Sequence, residues 1–263
     1  SALGSGADYT AFLDHLGVAS LNIGFGGEDG GGIYHSIYDD FYWFTNFSDT
    51  DFSYGRALSQ TGGTTVIRIA DADVLPFDFT NFAETVRRYL GELKKVLSGM
   101  QDKIKERNKQ LSEGVFTALA DPKEKSVPPG VEEIPPFINF APLENAIETL
   151  TRSADRYDKA VKNRAGKNLS EQVLKSVNQR LIQSERKLTH QDGLPIRPWF
   201  KHLIYAPGFY TGYGVKTIPG VREALEQKRW KESESEILRV ARALEDQSML
   251  IEAAANDLEK GTK

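Results

Sequence analysis

Cysteine is absent from the 263 residues, which excludes disulfides and any metal site built on thiolates. That absence does not fix a compartment, because secreted chains can fold without disulfides. Histidine is scarce, with four copies, so an imidazole site has few donors to draw on. No apolar run approaches the roughly 20 residues of a membrane-spanning helix, and no charged-then-apolar signal segment opens the chain, so this stretch reads as soluble. No excess of one charge is present either. The net charge is -4, with 33 Lys and Arg scattered among 37 Asp and Glu. The clustered cations that neutralise phosphates are missing, and no nucleic-acid partner is expected.

What is there is enough for a substantial core. With 40% hydrophobic and 27% charged side chains, the chain has the make-up of one large domain or two. It begins at Ser1 directly on "SALGSGADYTAF", which reads as the middle of something longer. Two triplets, Asn46-Phe47-Ser48 and Asn168-Leu169-Ser170, would permit N-glycosylation in a secretory protein.

The first 80 residues read as alternating short elements. Tyr9, Phe12, Leu13 and Leu16 recur at helical spacing, with Asp8 placed to cap the start and Gly17 the end. "VASLNIGF" follows as a short apolar strand and runs into the glycine-rich "GFGGEDGGG", a loop. Residues 52–73 form another helical pattern, with Ala57, Leu58, Val66, Ile67 and Ile69 expected inward. This is the order of an α/β sheet protein, whose sites sit at strand ends. Beyond that the texture becomes long amphipathic helices. Phe82, Val86, Tyr89, Leu90, Leu93 and Leu97 lie three or four apart, and later helices are expected over 143–162, 169–188 and 234–258, the last with Ile237, Ala241, Leu244, Ser248 and Ile251 in one stripe. "DPKEKSVPPGVEEIPPF" holds five of the eleven prolines and reads as a surface linker. The expected organisation is part of an α/β domain over residues 1–75, followed by an all-α domain over 76–263.

His35, in "GGIYHSIYDD", is the residue most open to a functional reading. Zinc needs three or four ligands, and no Cys and no second His stands at helical or hairpin spacing from it. From spacing alone a hydrogen-bonded histidine is the commoner outcome. Asp39 and Asp40 could orient the imidazole, but adjacent acids in a turn are mostly solvated, and Tyr38, Tyr42 and Trp43 read as core packing.

Longer strings change the odds for His35. "LGSGADYTAFLDHLGVASLNIGF", "GGIYHSIYDDFYW", "IADADVLPFDF" and "RPWFKHLIYAPGFYTGYGVKTIPGVREAL" together resemble the C-terminal part of the glutamate carboxypeptidase II and transferrin receptor family. The match runs in order through essentially the whole chain. The resemblance implies a zinc aminopeptidase-like α/β domain followed by a helical dimerisation domain, hence a homodimer acting on peptides. It implies two zinc ions in the full-length protein, with His35 as the last ligand and Tyr34 steadying the oxyanion. The other ligands and the general-base glutamate of the family precede the point where this chain begins. Non-enzymatic transferrin receptors lack the histidine, so His35 favours the peptidase branch over a receptor-like assembly module.

The same resemblance places Ser5 and Gly6 along the substrate cleft and has Tyr213 hold the terminal carboxylate of the substrate. Ala7 stands where the best-known human member has asparagine. Asn22 and Gly24 stand at arginine positions, and Gly212 stands at that of a glutamate-recognising lysine, for which Lys216 is near enough to substitute. Glutamate preference is therefore in doubt. The family context also implies a secretory, membrane-anchored, extracellular or vacuolar location, with any anchor upstream of this chain.

Overall fold

A computed structural model describes residues 2–27, 32–118, 123, 127–164 and 169–261. Their contacts divide them into two compact units. One spans Ser20–Phe77, and the other combines Ser1–Ala19 with Asp78–Lys263.

The Ser20–Phe77 unit holds two α-helices, α1 (Phe41–Trp43), continued by a π-helical turn over Phe44–Ser48, and α2 (Ser53–Ala70). Carboxylates start both helices. The Asp40 side chain accepts the Trp43 N–H at 2.8 Å. Asp49, itself buried, accepts the N–H groups of Tyr54 and Gly55 at 3.1 and 2.6 Å. Each satisfies donors that a first helical turn cannot pair internally. The helix expected over 52–73 is present, but its inward set is not buried. Val66 and Ile67 are about two-thirds exposed. Tyr38 and Tyr42 are equally open, so the core role expected of them is not seen. The strand expected at "VASLNIGF" is not formed: the segment has no strand pairing among the described residues. A strand requires a neighbour to take its backbone groups. Here no neighbouring strand is described.

The other unit is helical and well filled. Its long elements are α3 (Phe79–Ser112), α5 (Ala141–Asn163), α6 (Glu171–Leu181) and α9 (Trp230–Gly261); α4 (Val115–Ala118), α7 (Ser184–Lys187) and α8 (Pro219–Glu226) are shorter. Asp78 starts α3 by accepting the Asn81 N–H at 3.0 Å. The i, i+3, i+4 spacing read from the sequence is the spacing that is buried: Val86, Tyr89, Leu90, Leu93 and Leu97 on α3, and all five residues of the α9 stripe. Phe82 alone of the α3 set stays half-buried, its place on the core face taken by Phe79 and Ala83. Helix α9 packs along α5, where Leu143, Ile147 and Leu150 are almost completely enclosed. An Arg156 fork to Glu252, Glu259 and Asn256 ties the two helices at the surface.

The proline-rich stretch is more than a linker. Gln101 on α3 donates to the carbonyls of Pro135 and Pro136, and Asn108 pairs with both backbone groups of Glu132. Residues 132–136 are therefore strapped to α3, and Ile138 and Phe140 enter the core. A two-stranded antiparallel hairpin, β1 (Tyr205–Pro207) with β2 (Val215–Thr217), pairs Ala206 with Lys216. Among the described residues no helix is long and apolar enough to cross a membrane.

Leu150, fully buried on α5, is expected to lose about 2–5 kcal/mol of unfolding free energy on Leu150→Ala. Ile67→Ser on the open face of α2 is expected to change it by less than about 0.5 kcal/mol. Urea unfolding of the two variants checks the contrast.

Candidate functional site

The hairpin exists because residues 208–214 can turn tightly. Gly208 N–H donates to the Gly214 carbonyl at 2.9 Å, Gly214 N–H returns to Thr211 at 3.0 Å, and the Thr211 hydroxyl donates to Gly214 at 2.7 Å. Gly212 takes the left-handed conformation at φ 57°, which a glycine adopts without strain. The turn presents Phe209, Tyr210 and Tyr213 outward.

Its base is held by a buried ion pair. Arg197 donates to Glu223 at 2.8 Å, the two side chains being 10% and 8% exposed. Arg197 also donates to the Pro207 carbonyl, and Glu223 accepts the Phe209 N–H at 2.7 Å. Both charges are thus spent on the backbone at the point where the loop leaves β1. Buried charges persist when paired and hydrogen-bonded in this way.

Ser5, Gly6 and Tyr213 come together beside this turn. Ser5 N–H donates to the Tyr213 carbonyl at 3.3 Å. Gly6, at φ 101°, lies so close over the Tyr213 ring that a β-carbon there would sit 2.9 Å from the ring. Gly4 is equally confined, since a β-carbon would meet the Tyr213 carbonyl at 2.6 Å. The glycines of "GSG" are thus required by close approach of two backbones. Ala7 lies just beyond, exposed.

Directly after "GSGAD" the expected helix is present over residues 9–15, its last five residues, Ala11–His15, wound as a π-helix, and Gly17 just past its end takes φ 62°. Leu13 is buried, but Phe12 and Leu16 are about half exposed. The Asp14 carbonyl accepts the N–H groups of Lys201 and His202, and His15 stacks on Trp199 and bonds its carbonyl at 2.7 Å. These contacts draw this helix against residues 199–202. The side chain of Asp14 is fully enclosed, and neither oxygen has a hydrogen-bond partner. Periodicity could not have found it, because an acid in an apolar repeat reads as the solvent side. Burial pushes its carboxyl up from 3.8 to about 7, against a downward pull from Arg197. Burial, followed by the charge of Asp14, also raises the Tyr9 phenol.

His202 is a core residue. Its Nδ1 accepts the N–H groups of Ile204 and Tyr205, and Nε2 faces Glu185 at 3.0 Å. Lys216, the nearby cation weighed as a stand-in at position 212, is ion-paired to Glu226.

In the Ser20–Phe77 unit, His35 sits at φ 66° in a turn, exposed, with its ring stacked on Tyr34 at 3.9 Å. Asn22 and Gly24 are exposed. Asp40 serves as the cap of α1, a local duty. Among the described residues no group of three or more His, Cys, Asp or Glu is placed to hold a metal. Asn46 is exposed on its π-helical turn, and Asn168 lies outside the described residues.

Residues 138–252, which lie within the helical unit, match the transferrin receptor-like dimerisation domain. A probable glutamate carboxypeptidase of Arabidopsis thaliana is 31% identical over 94% of this chain and 31% of its own length. An aminopeptidase of Rattus norvegicus is 23% identical over 99% of the chain and 31% of its length. A Schizosaccharomyces pombe protein described as an inactive zinc metalloprotease is 21% identical over 91% and 27%. The chain belongs to the glutamate carboxypeptidase and transferrin receptor family, and it spans about three-tenths of the length of these relatives.

Asp14 gives the unit a pH dependence of known sign. The folded chain keeps that proton up to about pH 7, whereas the unfolded chain releases it near its ordinary 3.8. Stability from this group therefore falls as pH rises between those values and is flat above them. Asp14→Asn should remove that slope and raise stability near pH 8 by roughly 2–4 kcal/mol, with little gain near pH 4. Chemical unfolding at the two pH values measures it, and an equal shift at both would contradict the assignment.

Proposed function

We propose that this chain is the C-terminal portion of a dizinc peptidase that cuts a peptide bond next to a free C-terminus, and that two copies pair through the helical unit. The observation that carries the reading is the meeting of Ser5 and Gly6 with Tyr213 on a turn clamped from below by Arg197 and Glu223. A phenol and a hydroxyl beside close-packed glycine backbone are suited to hold a carboxylate and the main chain of a peptide. The carboxypeptidase assignment of the Arabidopsis relative supports cleavage at that end.

The first residues and the Ser20–Phe77 unit would form the end of an α/β domain. Supporting this are the apolar side chains that the unit leaves open, among them Leu21, Ile23, Phe25, Val66 and Ile67, which suit packing against a sheet. The exposed Asn46 suits a glycosylated protein of the secretory pathway, membrane-anchored or extracellular or vacuolar.

The imidazole of His35 is chemically apt for zinc, but one ligand cannot hold a metal, and the described residues offer no completing set. The remaining ligands and the general base would come from the part of the relatives' length that this chain does not span. A zinc pair, when bound, would polarise the scissile carbonyl and acidify the attacking water. Tyr34 would donate a hydrogen bond to the developing oxyanion, and Tyr213 would hold the terminal carboxylate.

In the full-length protein His35→Ala should lower bound zinc below about two ions per chain and abolish dipeptide hydrolysis. Unchanged zinc by metal analysis with unchanged turnover would overturn the assignment. A full-length protein that binds no zinc would instead favour the receptor-like reading. The 263-residue chain alone, with zinc added, should show no turnover.

A further inference from the structure

The turn that carries Tyr213 is rich in rings and poor in available charge. Phe209, Tyr210 and Tyr213 are 41%, 82% and 60% exposed. Phe209 and Tyr210 meet edge to face at 4.6 Å, and the Arg197 guanidinium lies 5.8 Å from the Phe209 ring. Each described cation bonded to the turn or to its flanking strands is already engaged. Arg197 is divided between Glu223 and the Pro207 carbonyl. Arg222 is divided between Glu92 and Thr217. The stem of Lys216 runs past Gly208 and its amine ends on Glu226.

The terminal carboxylate that every such substrate carries has the Tyr213 and Ser5 hydroxyls assigned to it; a second carboxylate, on the side chain, would lose water with neither those donors nor a counter-charge left for it, and burying an unpaired charge is strongly unfavourable. A ring or branched aliphatic group would instead gain contact with exposed aromatic surface. We infer that the residue at the free C-terminus of the substrate is bulky and apolar, such as phenylalanine or leucine, and that the turn Phe209–Tyr213 selects it. This rests on the reading of that turn as the loop that closes over the substrate's end.

The test uses the zinc-loaded full-length protein and N-blocked peptides identical except for a C-terminal Phe, Leu, Glu or Lys, with the released amino acid identified. Release of Phe and Leu with kcat/KM at least about tenfold above Glu and Lys is expected. Glu226→Gln, which releases Lys216, should raise kcat/KM for the Glu-ending peptide severalfold and leave the Phe-ending peptide nearly unchanged. C-terminal release with Glu preferred in the unmodified protein would overturn the inference while leaving the carboxypeptidase reading standing. Failure to release any C-terminal residue, or release from unblocked peptides at the N-terminus alone, would overturn both.

Discussion

The buried pair of Arg197 and Glu223 is the interaction on which the candidate site depends. It consumes two charges to fix one piece of backbone, the exit from β1 at Pro207 and Phe209. That exit sets where the turn can go, and the turn places Tyr213 against Ser5 and Gly6. A hydrophobic pair of similar volume could hold α8 against the Arg197 loop as well. It could not donate to a carbonyl and accept from an amide at the same corner, so the ions supply a geometry that packing alone does not.

The helical unit beneath supplies the rigidity that such a corner needs. Helices α5 and α9 enclose large aliphatic side chains almost completely, and α8 brings Glu223 to Arg197 on the face toward the hairpin. The hairpin has three paired residues on each strand and little strength of its own. The Ser20–Phe77 unit is built differently. Its helices are capped by carboxylates, yet of its described side chains only Asp49 and Val74 are buried. Local hydrogen bonding shapes it more than packing does.

The contrast explains what could be read from the sequence. Where a helix packs on its own neighbours, period 3.6 is sufficient, and the stripes of α3 and α9 were legible almost residue by residue. Where a segment has no neighbour packed on it among the described residues, the same pattern misleads. Val66 and Ile67 are apolar at helical spacing and exposed, and "VASLNIGF" has strand composition without strand pairing. The site was legible only in part. "GSGAD" and "GFYTGYG" lie within the strings that carry the family resemblance, but nothing in either announces that Gly6 lies on the Tyr213 ring. Arg197, Glu223 and Asp14 carried no signal, because a charged residue is read as solvated until its burial is seen. The engagement of Lys216 by Glu226 likewise depends on contacts across ten residues of sequence.

The most direct test of this account is hydrogen–deuterium exchange in the unmodified chain and in Glu223→Gln. The account predicts that the amides of Phe209 and Ser5 lose protection together in the variant, while the buried amides of α5 and α9 keep theirs. Unchanged protection at Phe209 and Ser5 would contradict it, as would loss of protection spread evenly through the helices.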